Sequence, residues 1–132
     1  MESGEKRQGI AYRKSLTFAR MIVRSYQNLV NAKHEYVLSK QLLRSGTSIG
    51  ANLAEARCGY SPKDFLSKVY IALKECAETT YWLDLLYDCD YMETGEYQAL
   101  KSACEELRRM LSATTKIHAR FSSLLTLHSS LY

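Results

Sequence analysis

Residues 61–91 read SPKDFLSKVYIALKECAETTYWLDLLYDCDY, and this segment carries the clearest helix signal in the chain. Ser61, Pro62 and Asp64 together form a helix start: a serine N-cap, a proline whose missing N–H is harmless in the first turn, and an acid at the positive end of the helix dipole. Apolar or small residues then recur in alternating three- and four-residue steps at Leu66, Val69, Leu73, Cys76, Thr80, Leu83 and Tyr87. This period is that of a helix that buries one stripe, so the pattern predicts a helix over about 61–91.

The same spacing predicts three further helices, at about 10–32, 35–58 and 95–122. Their apolar seams are Tyr12, Leu16, Ala19, Val23, Tyr26 and Val30; Leu38, Leu42, Ile49, Leu53 and Ala56; and Tyr97, Leu100, Cys104, Leu107, Leu111, Thr114, His118 and Phe121. Four amphipathic helices with short connections predict an antiparallel up-down-up-down four-helix bundle. We expect one domain over residues 1–132, with a flexible N-terminus at 1–9 and a tail at 123–132 that extends helix 4 or frays.

Composition supports an all-α class. The chain has 132 residues, which suits a single packed core, and its 46% hydrophobic and 24% charged residues are globular values. One proline and six glycines are too few for the turns of an all-β sandwich. No transmembrane or secretory segment is apparent, and the four cysteines form no CxxC pair. We therefore expect a cytoplasmic protein with no membrane role, whose cysteines are free thiols used in packing.

Sequence patterns for catalysis and cofactors are missing. A di-iron bundle needs Glu-x-x-His pairs, and no histidine of this chain has a glutamate three residues before it. His118 on the helix 4 seam is therefore interpreted as a core or interface residue rather than a metal ligand. Phosphate-binding loops are absent, and Cys58 lies near a helix C-terminus, where the dipole disfavours a thiolate. The sequence predicts no catalytic residue, no metal, no cofactor and no small-molecule substrate.

Charge is distributed unevenly. Residues 1–60 carry ten Lys and Arg against four acids, and residues 61–132 carry eight against ten. In an up-down bundle the start of helix 1, the end of helix 2, the start of helix 3 and the end of helix 4 share one pole, which favours nucleic-acid binding or contact with an acidic protein. This pole would gather Lys6, Arg7, Arg13, Lys14, Arg57, Lys63, Lys116 and Arg120. The alternative is that these cations only solvate the surface and complement helix dipoles. The candidate nucleic-acid-binding residues are Arg13, Lys14, Arg20, Arg24, Arg44, Arg57, Arg108, Arg109, Lys116 and Arg120.

Tyrosine is abundant, with ten residues in the chain, several of them close to cations. Tyrosines stack on unpaired bases, but they are also enriched at protein interfaces. Four of them lie on predicted core seams, so the interface interpretation is favoured.

Helix 2 carries two features beside its seam. Gly46, Gly50 and Ala54 form a ridge of small residues, which indicates either the close approach of another backbone or a weak point in the helix. Asn52 and Glu55 are polar neighbours that form either a site or, as we favour, a hydrogen-bonded network that sets packing or subunit register. The candidate packing and oligomer motif is Gly46, Ser48, Gly50, Asn52 and Glu55.

Residues 41–92 resemble the bacterial four-helix-bundle family described as 23S rRNA intervening-sequence proteins. The matching positions are Gln41, Leu42, Arg44, Ser48, Ile49, Asn52, Ala54, Glu55, Ser61, Phe65, Leu66, Ala72 and Glu75. The chain departs from the family pattern at Leu43, which replaces an arginine, and at Ala56, Lys74 and Cys76. The resemblance implies an up-down bundle that assembles as a homopentamer, encoded in some cases within an inserted segment of 23S rRNA. The chain is also distantly similar to a basic pentameric accessory protein of diversity-generating retroelements, which binds nucleic acid and assists a reverse transcriptase.

Two function hypotheses follow. The first is a non-enzymatic homo-oligomeric bundle that binds structured RNA or DNA, or a nucleic-acid enzyme, through its basic pole. The second is a purely structural or adaptor oligomer whose partners are proteins. The response to salt separates them, because phosphate contacts weaken steeply as salt rises. An enzyme is the third and least supported interpretation.

Overall fold

The computed structural model describes the backbone of residues 4–130 and the side chains of residues 9–120. Within these residues the chain forms four α-helices and no strand, which confirms the all-α prediction. The helices are α1 (Gly4–Asn31), α2 (Leu38–Arg57), α3 (Pro62–Asp88) and α4 (Thr94–Ser130). Consecutive helices pack on one another and α1 also packs on α4, so the arrangement is consistent with a four-helix bundle. Among the described residues, no helix is both long enough and apolar enough to cross a membrane.

The outer ends of α1 and α4 extend further than predicted. α1 begins at Gly4, inside the segment predicted to be flexible, and α4 continues to Ser130, past the predicted end at about residue 122. Residues 5–8 are strong helix formers without an apolar seam, so periodicity could not detect them, and no glycine or proline follows Gly95 to stop α4. The remaining residues of the two predicted flexible ends, 1–3 and 131–132, lie outside the described residues.

Two inner helix ends are shorter than predicted, because one left-handed residue lies in the α1–α2 connection and another in the α3–α4 connection. α2 begins at Leu38 rather than at about 35, and α3 ends at Asp88 rather than at about 91. His34 and Asp90 adopt positive φ angles of 55° and 64°, a conformation in which a right-handed helix cannot continue. Neither residue is a glycine, so the sequence offered little warning of these turns.

Glu35 caps the start of α2, a role that the sequence did not indicate. One carboxylate oxygen accepts the backbone N–H groups of Val37 and Leu38 at 3.0 and 2.9 Å, and the other accepts that of Ser39 at 2.6 Å. Burial raises the pKa of Glu35, but these hydrogen bonds outweigh it and hold the pKa below its ordinary value. The ionised carboxylate thus satisfies donors that a helix N-terminus leaves free.

The start of α3 follows the sequence prediction. Ser61 is the N-cap, and its hydroxyl accepts the backbone N–H of Asp64 at 3.1 Å. Pro62 is the first residue of the helix. Because these residues are adjacent in sequence, local chemistry alone determines where α3 begins.

The core lies along the middle of the bundle and draws on all four helices. The seams predicted for helices 2 and 4 are largely buried, with Leu42 and Ile49 on α2 and Leu107 and Leu111 on α4 at most 1% exposed. The largest fully buried side chains are Phe18, Ile22, Leu29, Leu42, Ile49, Val69, Thr79, Leu83, Leu86, Leu100, Leu107 and Leu111.

The seam predicted for helix 1 is wrong by one position. Leu16 and Val23, expected in the core, are 42% and 38% exposed. The buried stripe of α1 is instead Ala11, Ser15, Phe18, Ile22, Ser25 and Leu29. A one-residue shift rotates the buried face of a helix by about 100°, since there are 3.6 residues per turn. The two serines made this stripe look less apolar than its neighbour.

Ser15 is buried where α2 approaches α1 closely. A Cβ atom on Gly46 would lie 2.8 Å from Cγ1 of Ile22, and one on Gly50 would lie 2.8 Å from Oγ of Ser15. Real Cβ contacts of that length essentially never occur, so a side chain at either position would force the facing side chain of α1 to move. The glycine ridge is therefore a close approach, and α1 of the same chain makes it.

Candidate nucleic-acid interface

Five exposed cations lie near the start of α1, the end of α2, the start of α3 and the later part of α4: Arg13, Arg57, Lys63, Lys116 and Arg120. We call this group the basic end. Two contacts bring its helices together. The guanidinium of Arg57 lies 4.9 Å from the centre of the Tyr12 ring, and the rings of Phe65 and His118 are 5.1 Å apart.

A cavity of about 20 Å³ lies beneath the basic end and is lined by residues of all four helices, among them Ala11, Leu53, Phe65 and Leu111. This is room for about one water molecule. It is too small for a ligand, so any binding at this end occurs on the surface.

The cations of the basic end have little local neutralisation. Within residues 9–120, none of the five forms an ion pair. Two acids lie near these cations in the sequence: Asp64 directly follows Lys63, and Glu55 lies two residues before Arg57 but pairs with Lys68. A group of exposed cations without acidic partners raises the local potential and attracts polyanions.

The structure divides the ten cations predicted to bind nucleic acid. Arg13, Arg57, Lys116 and Arg120 belong to the basic end. Three others pair with acids: Lys14 with Glu106 on α4, Arg44 with Glu75 and Glu78 on α3, and Arg108 with Glu105 one turn away. Arg20, Arg24 and Arg109 are exposed along the sides of the bundle.

The predicted motif on α2 serves two different contacts. Gly46 and Gly50 lie against α1, whereas Glu55 pairs with Lys68 of α3 at 2.7 Å. Asn52 donates from Nδ2 to the Ser48 carbonyl oxygen at 2.8 Å, and the Ser48 hydroxyl donates to the Arg44 carbonyl oxygen at 2.6 Å. No hydrogen bond joins Asn52 to Glu55 among the side chains that the structure describes.

An apolar stripe runs along the outer face of α1. Leu16, Ala19 and Val23 line a shallow, open groove of about 400 Å³, together with Arg20, Arg24 and Gln27. We call these six residues the α1 stripe. It is the face that the sequence assigned to the core, and it leaves apolar surface flanked by cations.

The end opposite the basic end holds a polar cluster. Lys101 Nζ donates to Asp84 Oδ1 and to the Tyr97 hydroxyl, both at 2.9 Å, and that hydroxyl donates to the same carboxylate. Hydrogen bonds to Tyr97 and Asp84 raise the pKa of Lys101. Burial raises the pKa of Asp84, but the hydrogen bonds outweigh it and the net shift is downward. The Tyr97 ring also stacks on Tyr87 at 4.2 Å, so the cluster joins α3 to α4.

The cysteines are all free thiols. Cys58 and Cys89 are exposed, and Cys76 and Cys104 are buried between α3 and α4. The pKa of Cys76 is raised mainly by a hydrogen bond with Cys104 and, to a smaller extent, by burial, so this thiol stays protonated. Residues 9–120 contain no group of three or more His, Cys, Asp or Glu side chains that could hold a metal ion.

Tyr60 lies next to the basic end, and the sequence patterns did not single it out. It lies in the connection between α2 and α3, and its side chain is 101% exposed. The available signal was an aromatic residue in a short turn, between Gly59 and the Ser61 cap.

Comparison with known proteins found one matching family model and a similar solved structure. The family described as 23S rRNA-intervening sequence protein matches residues 7–113. A crystal structure of a protein with unknown function from the S23 ribosomal protein family of Bacteroides thetaiotaomicron is 44% identical to this chain. It covers 83% of this chain and 98% of its own, with a TM-score of 0.82. Among curated proteins, none matches.

Proposed function

Because the chain belongs to the 23S rRNA-intervening sequence protein family, we propose that it is a non-enzymatic homo-oligomeric helical bundle that binds structured RNA or DNA through its basic end. The observation that carries this proposal is the group of five exposed cations without ion-pair partners among the described side chains. Polyanion binding needs such a surface, since each phosphate contact releases condensed counterions.

The proposal includes an antiparallel up-down-up-down topology, which residue pairings support. Between α2 and α3, Glu55 meets Lys68 near the connection, whereas Arg44 meets Glu75 further from it. Between α1 and α2, Ile22 meets Gly46 and Ser15 meets Gly50. In both cases residue numbers rise along one helix as they fall along the other. This topology explains why cations distant in sequence collect at one end.

Self-association is the second part of the proposal, and the α1 stripe supports it. Leu16 and Val23 expose apolar side chains next to each other on a regular helix face. A contiguous apolar face of this kind is typical of a surface that contacts another protein. A homopentamer, as the family resemblance implies, would repeat the basic end and raise affinity for nucleic acid through multivalency.

The α1 stripe also supports the second candidate, an adaptor whose partner is another protein. Arg20 and Arg24 flank the apolar residues, so an amphipathic helix with acidic margins would fit the stripe. If the partner is a protein that processes nucleic acid, the α1 stripe could bind that protein while the basic end binds its nucleic acid. We place all of these roles in the cytoplasm, because free thiols are typical of a reducing compartment.

The test is a titration of salt-washed protein with labelled structured RNA and with a DNA duplex, at low and near-physiological salt. The variant is Arg13→Gln, Lys116→Gln and Arg120→Gln combined. The control is Lys33→Gln, Lys40→Gln and Lys74→Gln combined, because these lysines also lie on the surface but away from the basic end.

We expect micromolar or tighter binding that weakens steeply with salt. Each lost phosphate contact lowers the salt slope by about 0.9, so the variant should lose up to about 3 slope units. The control should retain most of the slope. Absence of binding at low salt, or equal losses in both triple variants, would contradict a role for the basic end.

A further inference from the structure

The connection between α2 and α3 is flanked by backbone hydrogen bonds and presents one exposed aromatic ring. Backbone hydrogen bonds run from Gly59 N to Ala56 O at 3.2 Å and from Phe65 N to Ser61 O at 3.0 Å. Ser61 caps α3 directly after Tyr60. The Tyr60 side chain is fully exposed, at 101%. Because no contact covers the Tyr60 ring, both of its faces are available for a ligand.

The other exposed tyrosines differ from Tyr60. Tyr36 is 53% exposed, and its hydroxyl is 3.1 Å from His34 Nδ1. Tyr81 is 59% exposed, and it packs edge-on against Trp82 at 4.9 Å. Tyr70 is 47% exposed on the side of α3. Tyr60 therefore has the most accessible ring among the described tyrosines.

Tyr60 lies between two cations of the basic end. Arg57 precedes it by three residues in the last turn of α2, and Lys63 follows it by three residues in the first turn of α3. The N-terminus of α3 adds the positive end of a helix dipole. Asp64 is the one acid within this short segment. A nucleic-acid strand whose phosphates contact these cations would bring its bases close to the Tyr60 ring.

We propose that Tyr60 is a stacking platform for an unpaired base, so that the basic end binds single-stranded segments and loops more tightly than paired duplex. This inference rests on the proposed nucleic-acid function and names its substrate class. Both faces of a base in the middle of a duplex are covered by its neighbours, whereas an unpaired base can be splayed out and stacked on an aromatic ring. Stacking on one aromatic side chain changes affinity by about 5- to 150-fold.

The experiment compares Tyr60→Ala, Tyr60→Phe and Tyr36→Ala. Each is titrated with a labelled single-stranded RNA of ~12 nucleotides, without self-complementarity, and with the duplex of the same sequence. Tyr60→Phe keeps the ring and removes only the hydroxyl. Tyr36→Ala removes a tyrosine that lies in the connection between α1 and α2. Because the Tyr60 side chain is fully exposed, its variants should fold normally, and circular dichroism checks this.

We expect Tyr60→Ala to weaken single-strand binding by about 5- to 150-fold and to leave duplex binding within about twofold. Tyr60→Phe and Tyr36→Ala should bind both ligands as the wild type does. Wild-type single-strand affinity in Tyr60→Ala overturns the inference, and so does a change in its oligomeric state, which would assign Tyr60 to a protein interface. If Tyr60→Ala has no effect but Arg13→Gln, Lys116→Gln and Arg120→Gln combined weaken binding, the proposed function stands and only the role of Tyr60 is wrong. If the wild type binds neither the single strand nor the duplex, the proposed function and the role of Tyr60 are both wrong.

Discussion

Ile22 packs directly on the backbone of Gly46, at a distance that leaves no room for a methyl group. A Cβ atom on Gly46 would lie 2.8 Å from Cγ1 and 3.0 Å from Cγ2 of Ile22. Ile22 is fully buried, so its side chain has no free space into which to move. The spacing between α1 and α2 therefore depends on the absence of a side chain at this position.

Gly46→Ala should destabilise the protein by about 1–3 kcal/mol, because overpacking exceeds the gain of about 1 kcal/mol in helix propensity. Gly95→Ala is the matched control, since nothing lies within 4 Å of its Cβ position. It should be neutral or stabilising by up to about 1 kcal/mol. Urea unfolding measures both free energies. Equal stabilisation by both substitutions would show that α2 does not need glycine at position 46.

Glu35→Gln should lower the free energy of unfolding at pH 7 by about 1–3 kcal/mol, because a neutral amide replaces a carboxylate that accepts three backbone N–H groups. The pKa of Glu35 is lowered from 4.5. Its stabilising effect is therefore complete above pH 4.5 and is lost as the pH falls through the lowered pKa.

The measurement for Glu35 is urea unfolding of the wild type and the variant from pH 7 down to about pH 2. The difference between them should shrink as the pH falls. Glu93→Gln, at an exposed glutamate next to α4, controls for the loss of a surface charge. A difference that stays constant over this range would rule out the carboxylate cap as the source of the effect.

Leu16→Glu combined with Val23→Glu should prevent self-association without unfolding the bundle. Both residues are exposed in the single chain, and the carboxylate introduced at position 16 would lie four residues before Arg20, a favourable spacing on a helix. Light scattering coupled to size exclusion should therefore report a smaller assembly with unchanged helix content. Val37→Glu, at a position 71% exposed in the α1–α2 connection, should assemble normally. An unchanged mass for the double variant would exclude the α1 stripe as the interface.

Arg44→Gln should lower stability by up to about 1 kcal/mol and leave nucleic-acid affinity unchanged, because Arg44 pairs with Glu75 and Glu78 of α3. A double-mutant cycle with Glu78→Gln measures the coupling free energy. Arg120→Gln serves as the comparison for binding, since Arg120 belongs to the basic end. If Arg44→Gln weakened binding as much as Arg120→Gln, Arg44 would belong to the interface after all.

Helix class and several helix boundaries were predictable because their causes are local. Ser61, Pro62 and Asp64 mark the start of α3 within four residues, and the structure contains the predicted cap. The seams of α2 and α4 are apolar enough to identify their own buried face. The first turns of α2 were not predictable in the same way, since Glu35 caps them only after His34 has turned the chain with a positive φ.

The candidate site was predictable in its charge but not in its grouping. The excess of cations in residues 1–60 is a property of the sequence. Some of these cations belong to the basic end, and others form ion pairs, such as Arg44 with Glu78. Which of the two applies depends on which helices are neighbours. Tyr60 was missed because its one sequence signal, an aromatic residue in a short turn, does not show whether the ring is exposed or packed.

Local patterns in the sequence were enough to predict an all-α protein with four amphipathic helices and more cations in its first half. Helix periodicity, capping and charge depend on residues within a few positions of each other, so one sequence suffices to identify them. Which stripe of α1 enters the core depends on contacts between helices. The glycines of α2 lie directly against Ile22 and Ser15, which belong to the buried stripe and not to the predicted one. This arrangement leaves Leu16 and Val23 on the surface.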